Sequence, residues 1–275
     1  MVIIAVVLIV VGLGVTAVYR LRDASNRIKC QGNLIAIGIG LHGFHDATGH
    51  FPAATVPNPS LPAEKRLSWL SAICPDYLVG GHASLLNKQK SWDDTENNPP
   101  RCRRRIDMQG NTQDEPFREI EVFSCPRRSP IAAANSISTT DYVGITGVGA
   151  AAAELPISDP HAGFFGYDRQ ITFKDIKDGT SNTIAVVEVL DGGAWTAGGH
   201  PTARGVVADE RPYLGEGGQF SSLHGQTVLS RSNGMNVLLA NASVHYYAAD
   251  LAPEVFEAMA TIAGGEQVGN LPLAY

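Results

Sequence analysis

Hydrophobic positions run from Met1 to Tyr19 with no charged residue among them, and arginines follow at 20, 22 and 27 with Asp23 in between. Wound as a helix, residues 2–19 span roughly 27 Å at ~1.5 Å per residue, close to the ~30 Å hydrocarbon thickness of a bilayer. A cleavable secretion signal needs basic residues ahead of its apolar run, and none precede this one. A buried core helix seldom has one threonine as its only polar side chain over such a length. The segment therefore reads as a membrane anchor. Beyond Arg20 the pattern changes: Leu34, Ile37, Leu41 and Phe44 recur at three and four residues, the apolar stripe of an amphipathic helix. One helix from Val2 to about Ala47, roughly 69 Å long at ~1.5 Å per residue, is predicted to stop at Gly49 and Pro52.

After residue 50 the 29 glycines and 16 prolines of the chain mostly take over, cutting it into short segments. Strands are expected around 141–146, 172–175, 183–189, 204–208, 235–240 and 242–247, the last two as a hairpin turning at Asn241-Ala242. A short helix from Pro253 to Ile262 closes the pattern. A long helix followed by strands makes an α+β fold, with the second half of the helix packed on an antiparallel sheet.

Composition is that of an ordinary globular chain, 44% hydrophobic and 17% charged, and the net charge of -6 argues against a nucleic-acid surface. The basic run Arg101-Cys102-Arg103-Arg104-Arg105 follows two prolines in a stretch without hydrophobic period and reads as a solvated loop. His42, His45 and Asp46 share a helix face at zinc-ligand spacing, but imidazoles satisfied at a helix–sheet seam account for them equally well. Ser181 and Ser221 are nucleophiles by residue type alone, with no nucleophile-elbow sequence around them. Asp178-Gly179-Thr180-Ser181-Asn182 reads as a turn, with Gly at positive φ and the polar side chains bonding local backbone. The glycine-rich stretches 144–149 and 192–199 lack phosphate-cradle spacing. No catalytic residue, cofactor or metal ligand is assigned, and an enzyme is not expected. Cysteines at 30, 74, 102 and 125 form no close pair, which disfavours a zinc ribbon. Their even number in an exported domain suggests bridges, with three pairings open.

Several stretches resemble one known family. Cys30-Gln31-Gly32-Asn33-Leu34 through His45-Asp46-Ala47-Thr48-Gly49 is similar to its helix motif, Phe123-Ser124-Cys125-Pro126 to its cysteine-proline motif, and Asp141-Tyr142-Val143-Gly144 to its strand motif. Ile176-Lys177-Asp178-Gly179-Thr180-Ser181-Asn182-Thr183-Ile184, with Glu188 after it, is the most specific match. Ser222-Leu223-His224-Gly225, Asn236 to Ala240 and Glu254-Val255-Phe256 complete the likeness, which covers nearly all the chain outside about 75–120. The family is that of bacterial prepilin-like proteins, related to type IV pilins and pseudopilins. Its members carry an N-terminal cleavage/methylation segment, a domain of unknown function and a C-terminal H-X9-DG processing-associated motif.

The resemblance implies a pilin-like fold, with residues 1–48 as the helix and 49–275 as an exported β-rich head whose motif lies at about 221–247. It implies a single-pass protein of the cytoplasmic membrane with its head in the periplasm or outside the cell. Its partners would be the membrane and other pilin-like subunits, in a type II secretion or type IV pilus-like system. Pairing the two cysteines in family-like segments gives Cys30–Cys125, leaving Cys74–Cys102. The motif departs from the family pattern: sixteen residues separate His224 from Asn241, and Asn241-Ala242 stands where Asp-Gly is usual. An insertion at Gln226 to Ser232 explains the spacing. Counting back from Cys30, the family's processing glutamate falls about one residue before Met1 and its helix proline at Thr16. That implies either a longer reading frame or a divergent, unprocessed member. The alternative reading is a membrane-tethered extracytoplasmic protein that binds a ligand or cation in the 225–235 loop and does not polymerise.

Overall fold

The computed structural model describes residues 2–74, 86–98, 101–103, 114–116, 120–126, 139–215, 217–222, 224 and 234–265, with side chains described from residue 12 onward except at 19, 20, 101–103 and 114–116. Helix α1, Val2–Thr48, is 47 residues long, or roughly 70 Å at ~1.5 Å per residue. Gly49 ends it: at φ +85° its N–H reaches back to the His45 carbonyl (2.7 Å), a left-handed cap that costs a glycine little. Among the described residues no helix is long and apolar enough to cross a membrane. Most of the side chains of the expected 2–19 anchor lie outside those described.

From Cys30 onward α1 buries one face, with Cys30, Leu34, Ile37 and Leu41 inside. Its opposite face leaves Leu21, Ile28, Ile35 and Ile39 between 45% and 71% exposed. The buried face meets a five-stranded sheet built from β3 (Tyr142–Val148), β4 (Ile184–Glu188), β5 (Ala203–Val206), β6 (Gly234–Leu239) and β7 (Val244–Ala248), in the order β5-β3-β4-β6-β7. A separate two-stranded ribbon pairs β1 (Arg101–Arg103) with β2 (Asp114–Pro116). The start of the basic run is thus a strand and not a loop. Residues 104 and 105 lie outside the described residues.

The sheet is mixed rather than antiparallel. β3–β4, β4–β6 and β6–β7 are antiparallel, but β5 lies parallel to β3 at the edge. The apolar pattern of residues 203–206 marks a strand but carries no trace of its neighbour. The segment leaving β4 crosses the end of β3 before pairing, and only the tertiary path decides that. A second difference falls at 172–175, expected as a strand. Phe173–Asp175 is a 3-10 turn, because Thr172 and Asp175 form a reciprocal capping box in which Asp175 accepts from the Thr172 N–H and hydroxyl. The closing helix, α3, runs Pro253–Met259 and is shorter than the sequence suggested.

Both faces of the sheet are covered, which explains the near-continuous apolar runs of β4 and β6. One face packs Tyr142, Val186 and Leu238 against Leu34, Ile37, Leu41, Phe51, Trp69 and Phe165. The other packs Val143, Ile145, Val187 and Val237 against Tyr213, Phe220, Phe256 and Met259. Burying each large side chain stabilises the fold by roughly 1.5–3 kcal/mol. The second half of α1 is therefore part of the head's core and not a separate unit. Beside this core Arg169, 8% exposed, donates to the carbonyls of Thr146, Ala152, Leu155, Gly163 and Phe165. Burial pulls its pKa down to about 10 against the opposing charge of Asp159. The guanidinium acts as a hub that ties neighbouring loops to β3.

Candidate functional site

Where α1 enters the head, four segments bring ionisable side chains to one buried point. Cys30 comes from α1 and Cys125 from the chain after the 3-10 turn Glu121–Phe123. Glu188 comes from the last position of β4, and His224 from the chain leading toward β6. Cys30 and His224 are fully buried, Glu188 is 2% exposed and Cys125 8%. The sulfurs lie 2.7 Å apart, His224 Nε2 is 3.4 Å from Cys125 Sγ, and the same nitrogen is 3.5 Å from Glu188 Oε1. All four donor atoms fall within 4.8 Å of one another.

Local chemistry fixes each group. The Cys125 N–H donates to Asp141 Oδ2 (2.7 Å), seating the cysteine loop on the start of β3. Asn236 on β6 donates through its N–H to Glu188 Oε2 (2.8 Å) and through Nδ2 to Oε1 (3.0 Å). Gln31 in turn donates to Asn236 Oδ1 (3.1 Å), tying helix to sheet. Ser222 accepts the His224 N–H (3.1 Å) and donates to the Gly234 carbonyl (2.6 Å). Asn33, one turn beyond Cys30, donates to the carbonyls of Glu121 and Ser124 and to Tyr142 Oη at 3.0–3.2 Å. His224 Nδ1 lies 3.8 Å from Asp23 Oδ1 and makes no hydrogen bond.

The electrostatics follow from crowding. The hydrogen bond to Cys125, with burial behind it, pushes the Cys30 thiol far above its ordinary range. Burial alone would lower the His224 pKa. Hydrogen bonds to Cys125 and Glu188 outweigh it and raise the value to about 9. Burial pushes the Tyr142 phenol up as well. Such a set can hold a cation, or its two sulfurs can join as a bridge. The resemblance paired Cys30 with Cys125, and their sulfurs are adjacent here, but that Glu188 and His224 join them was not expected, because positions 30, 125, 188 and 224 have no short-range spacing to read. The cysteine pairing, the most specific motif, which ends near Glu188, and the match around His224 were separate signals.

The other expected site residues serve the fold. Asp178-Gly179-Thr180-Ser181-Asn182 is a turn with Gly179 at φ +94°. Asn182 donates to the Asp178 carbonyl, and the Asp178 carboxylate accepts the N–H groups of Gly264 and Gly265 at 2.8 and 3.0 Å. The turn thereby clamps the segment after α3, and Ser181 is exposed on it. Asn241 and Ala242 form the β6–β7 turn, where Asn241 Oδ1 accepts from the Ser243 N–H and hydroxyl. His224 sits beside Gly234 at one end of β6 and Asn241 just past the other, roughly 20 Å away at ~3.4 Å per residue, so the two halves of the motif do not share a ligand. His42 shares a hydrogen bond with the Ala240 carbonyl (2.9 Å) and packs edge-on to Phe173, as expected at a helix–sheet seam, whereas His45 packs on the same ring with its buried Nδ1 lacking a hydrogen bond. Cys74 is buried at the end of α2 (Trp69–Ile73), and the Cys102 side chain lies outside the described residues. Residues 225–233 of the enlarged loop also lie outside them. An open cleft of about 660 Å³ beside Arg66, Glu154 and Tyr167 has its main cation already paired, Arg66 with Asp168.

Compared with known families, residues 20–248 match the model described as a protein of unknown function (DUF1559). No curated protein and no solved structure matches the chain.

Proposed function

The chain belongs to this family of proteins of unknown function, and from that premise we propose that it is a membrane-anchored, pilin-like structural subunit. One observation carries the reading: the outward face of α1. Leu21, Ile28 and Ile35 stand seven residues apart, 71%, 65% and 45% exposed, with Val18 and Ile39 (49% and 61%) beside them. A seven-residue apolar repeat is the seam by which helices pack side by side, and among the described residues nothing in the head covers this one. Below it, the uncharged stretch to residue 19 supplies the anchor. Gly12 and Gly14, beside which a methyl group would meet no atom within 4 Å, allow close approach of neighbouring helices. The long helix thus has one face for the head and one for a second copy or a related subunit, with the head in the periplasm or outside the cell. The protein acts by assembly and not by catalysis.

The test separates the seam from the fold. The full chain, expressed in a bacterial envelope, is fractionated, and sheared surface material is viewed by electron microscopy alongside cross-linking from a cysteine placed at position 21 of the seam. Membrane association with fibres or cross-linked ladders is expected. Ile28→Lys with Ile35→Glu abolishes them while circular dichroism and melting stay within about 1 kcal/mol of the parent, since both side chains are outside the core. A chain that stays monomeric in detergent micelles and never enters ladders or fibres overturns the subunit reading. It would leave in its place a tethered protein that binds through its head.

A further inference from the structure

We infer that Cys30, Cys125, Glu188 and His224 form a buried site for a single zinc ion that locks α1 to the head. The donors are those zinc takes, two thiolates, an imidazole and a carboxylate, and they come from four separate segments to within 4.8 Å. In a tetrahedron with bonds of about 2.0–2.3 Å, neighbouring donor atoms sit roughly 3.3–3.8 Å apart. The His224–Cys125 and His224–Glu188 separations of 3.4 and 3.5 Å are of that size. The sulfurs, at 2.7 Å, open by about 1 Å to admit the ion, and the pairs that start wider, none beyond 4.8 Å, close onto it.

Two further observations point to a cation. Glu188 is a buried carboxylate whose partners among the described residues are the neutral Asn236 donors and the His224 imidazole at 3.5 Å. A charge so placed needs a compensating one, from a protonated His224 or from a bound cation. Zinc displaces the thiol protons and any imidazole proton, and the filled site, with two thiolates, one carboxylate and a neutral imidazole, carries a net charge of -1. The surroundings are also those of a metal ligand set. The fully buried His224 presents Nε2 to the other three groups and keeps Nδ1, which lacks a hydrogen bond, on the side of the Asp23 carboxylate (3.8 Å). Asn236 orients the ligating carboxylate, and the Asp141 carboxylate holds the Cys125 backbone. Outer partners of this kind set ligand orientation and basicity. A disulfide would use the two sulfurs and leave Glu188 and His224 without a role.

The full chain is purified in detergent under reducing conditions and titrated with Co2+ and then Zn2+. One ion per chain is expected, with the intense near-ultraviolet thiolate-to-cobalt bands and visible bands of a tetrahedral site, both bleached by zinc. Cys125→Ser and His224→Gln each lose the bands, and Asn236→Ala weakens zinc binding roughly 10–100-fold. His161→Gln, on an exposed residue elsewhere, leaves binding unchanged. Should a variant fail to fold, the number of sulfurs bound to cobalt in the parent, read from band intensity and X-ray absorption, stands alone: two support the site, none or one overturns it. Bands that persist in both ligand variants overturn it too. So does a metal-free parent, isolated from the envelope, whose unreduced peptides link Cys30 to Cys125.

Discussion

Helix α1 is held to the sheet in two ways, a few turns apart. Around Cys30 the contact is polar: thiols, amides and a buried carboxylate, with Gln31 and Asn33 reaching across to β6, β3 and the cysteine loop. Around Gly38 it is steric. A methyl group at Gly38 would lie 3.0 Å from both Ala242 Cβ and Leu238 Cδ1, so the helix backbone nearly touches the β6–β7 hairpin. The first contact depends on directed bonds and discriminates which groups may sit there. The second depends on missing atoms and sets only how close the elements come. A helix held in both ways resists two movements, sliding at the first contact and lifting at the second.

The polar end is the more sensitive. Asn236→Leu removes a donor to Glu188 and strands the Gln31 amide, leaving the buried carboxylate with the backbone N–H of residue 236 and the His224 imidazole. Stability measured by denaturant unfolding in detergent falls by about 3 kcal/mol, in line with removing partners from a buried charge. At the steric end Gly38→Val forces two methyl groups into occupied space and costs about 2 kcal/mol, within the usual range for overpacking. If the valine is accommodated at no cost, the helix is free to lift and the division of labour between the two ends fails.

Much of this architecture is legible in the chain itself. The apolar stripe at Leu34, Ile37 and Leu41 locates the buried face, Gly49 and Pro52 locate the helix end, and β3, β4, β6 and β7 follow their apolar runs. What escapes is what depends on partners distant in sequence. Phe173 looks like part of a strand until the Thr172–Asp175 box closes the backbone into a turn. The edge placement of β5 depends on a crossing that its four residues cannot encode. Arg169 looks like any surface cation, although five carbonyls surround it. The thiol–imidazole–carboxylate cluster is assembled from residues up to 194 positions apart, between Cys30 and His224. Its members are visible one by one, and only the fold makes them a site.

Asn33 tests how far the polar contact is distributed. Its amide touches two carbonyls of the cysteine segment and the Tyr142 hydroxyl, but it is only half-buried, so water replaces part of what is lost. Asn33→Ala costs about 1 kcal/mol, the net worth of a typical hydrogen bond, and a much larger loss in the same unfolding assay would move the weight of the contact from Glu188 to the cysteine loop.

The smallest expected effect has the opposite sign and belongs to the steric end. Ala242 sits at φ +65°, the left-handed region that costs a residue with a Cβ roughly 1 kcal/mol or more, at the position where the resembling family has glycine. Ala242→Gly relieves that strain and removes the methyl group facing Gly38. Glycine's greater freedom in the unfolded chain takes back roughly 0.4–1 kcal/mol of the gain. A net stabilisation of about 0.5 kcal/mol is expected alone. In the Gly38→Val background the same change stabilises more, because the deleted methyl is one that the valine meets. The difference between the two backgrounds, read from a double-mutant cycle, measures the closeness of helix and hairpin directly. Strict additivity would mean that the helix is held away from the turn by Leu238 alone.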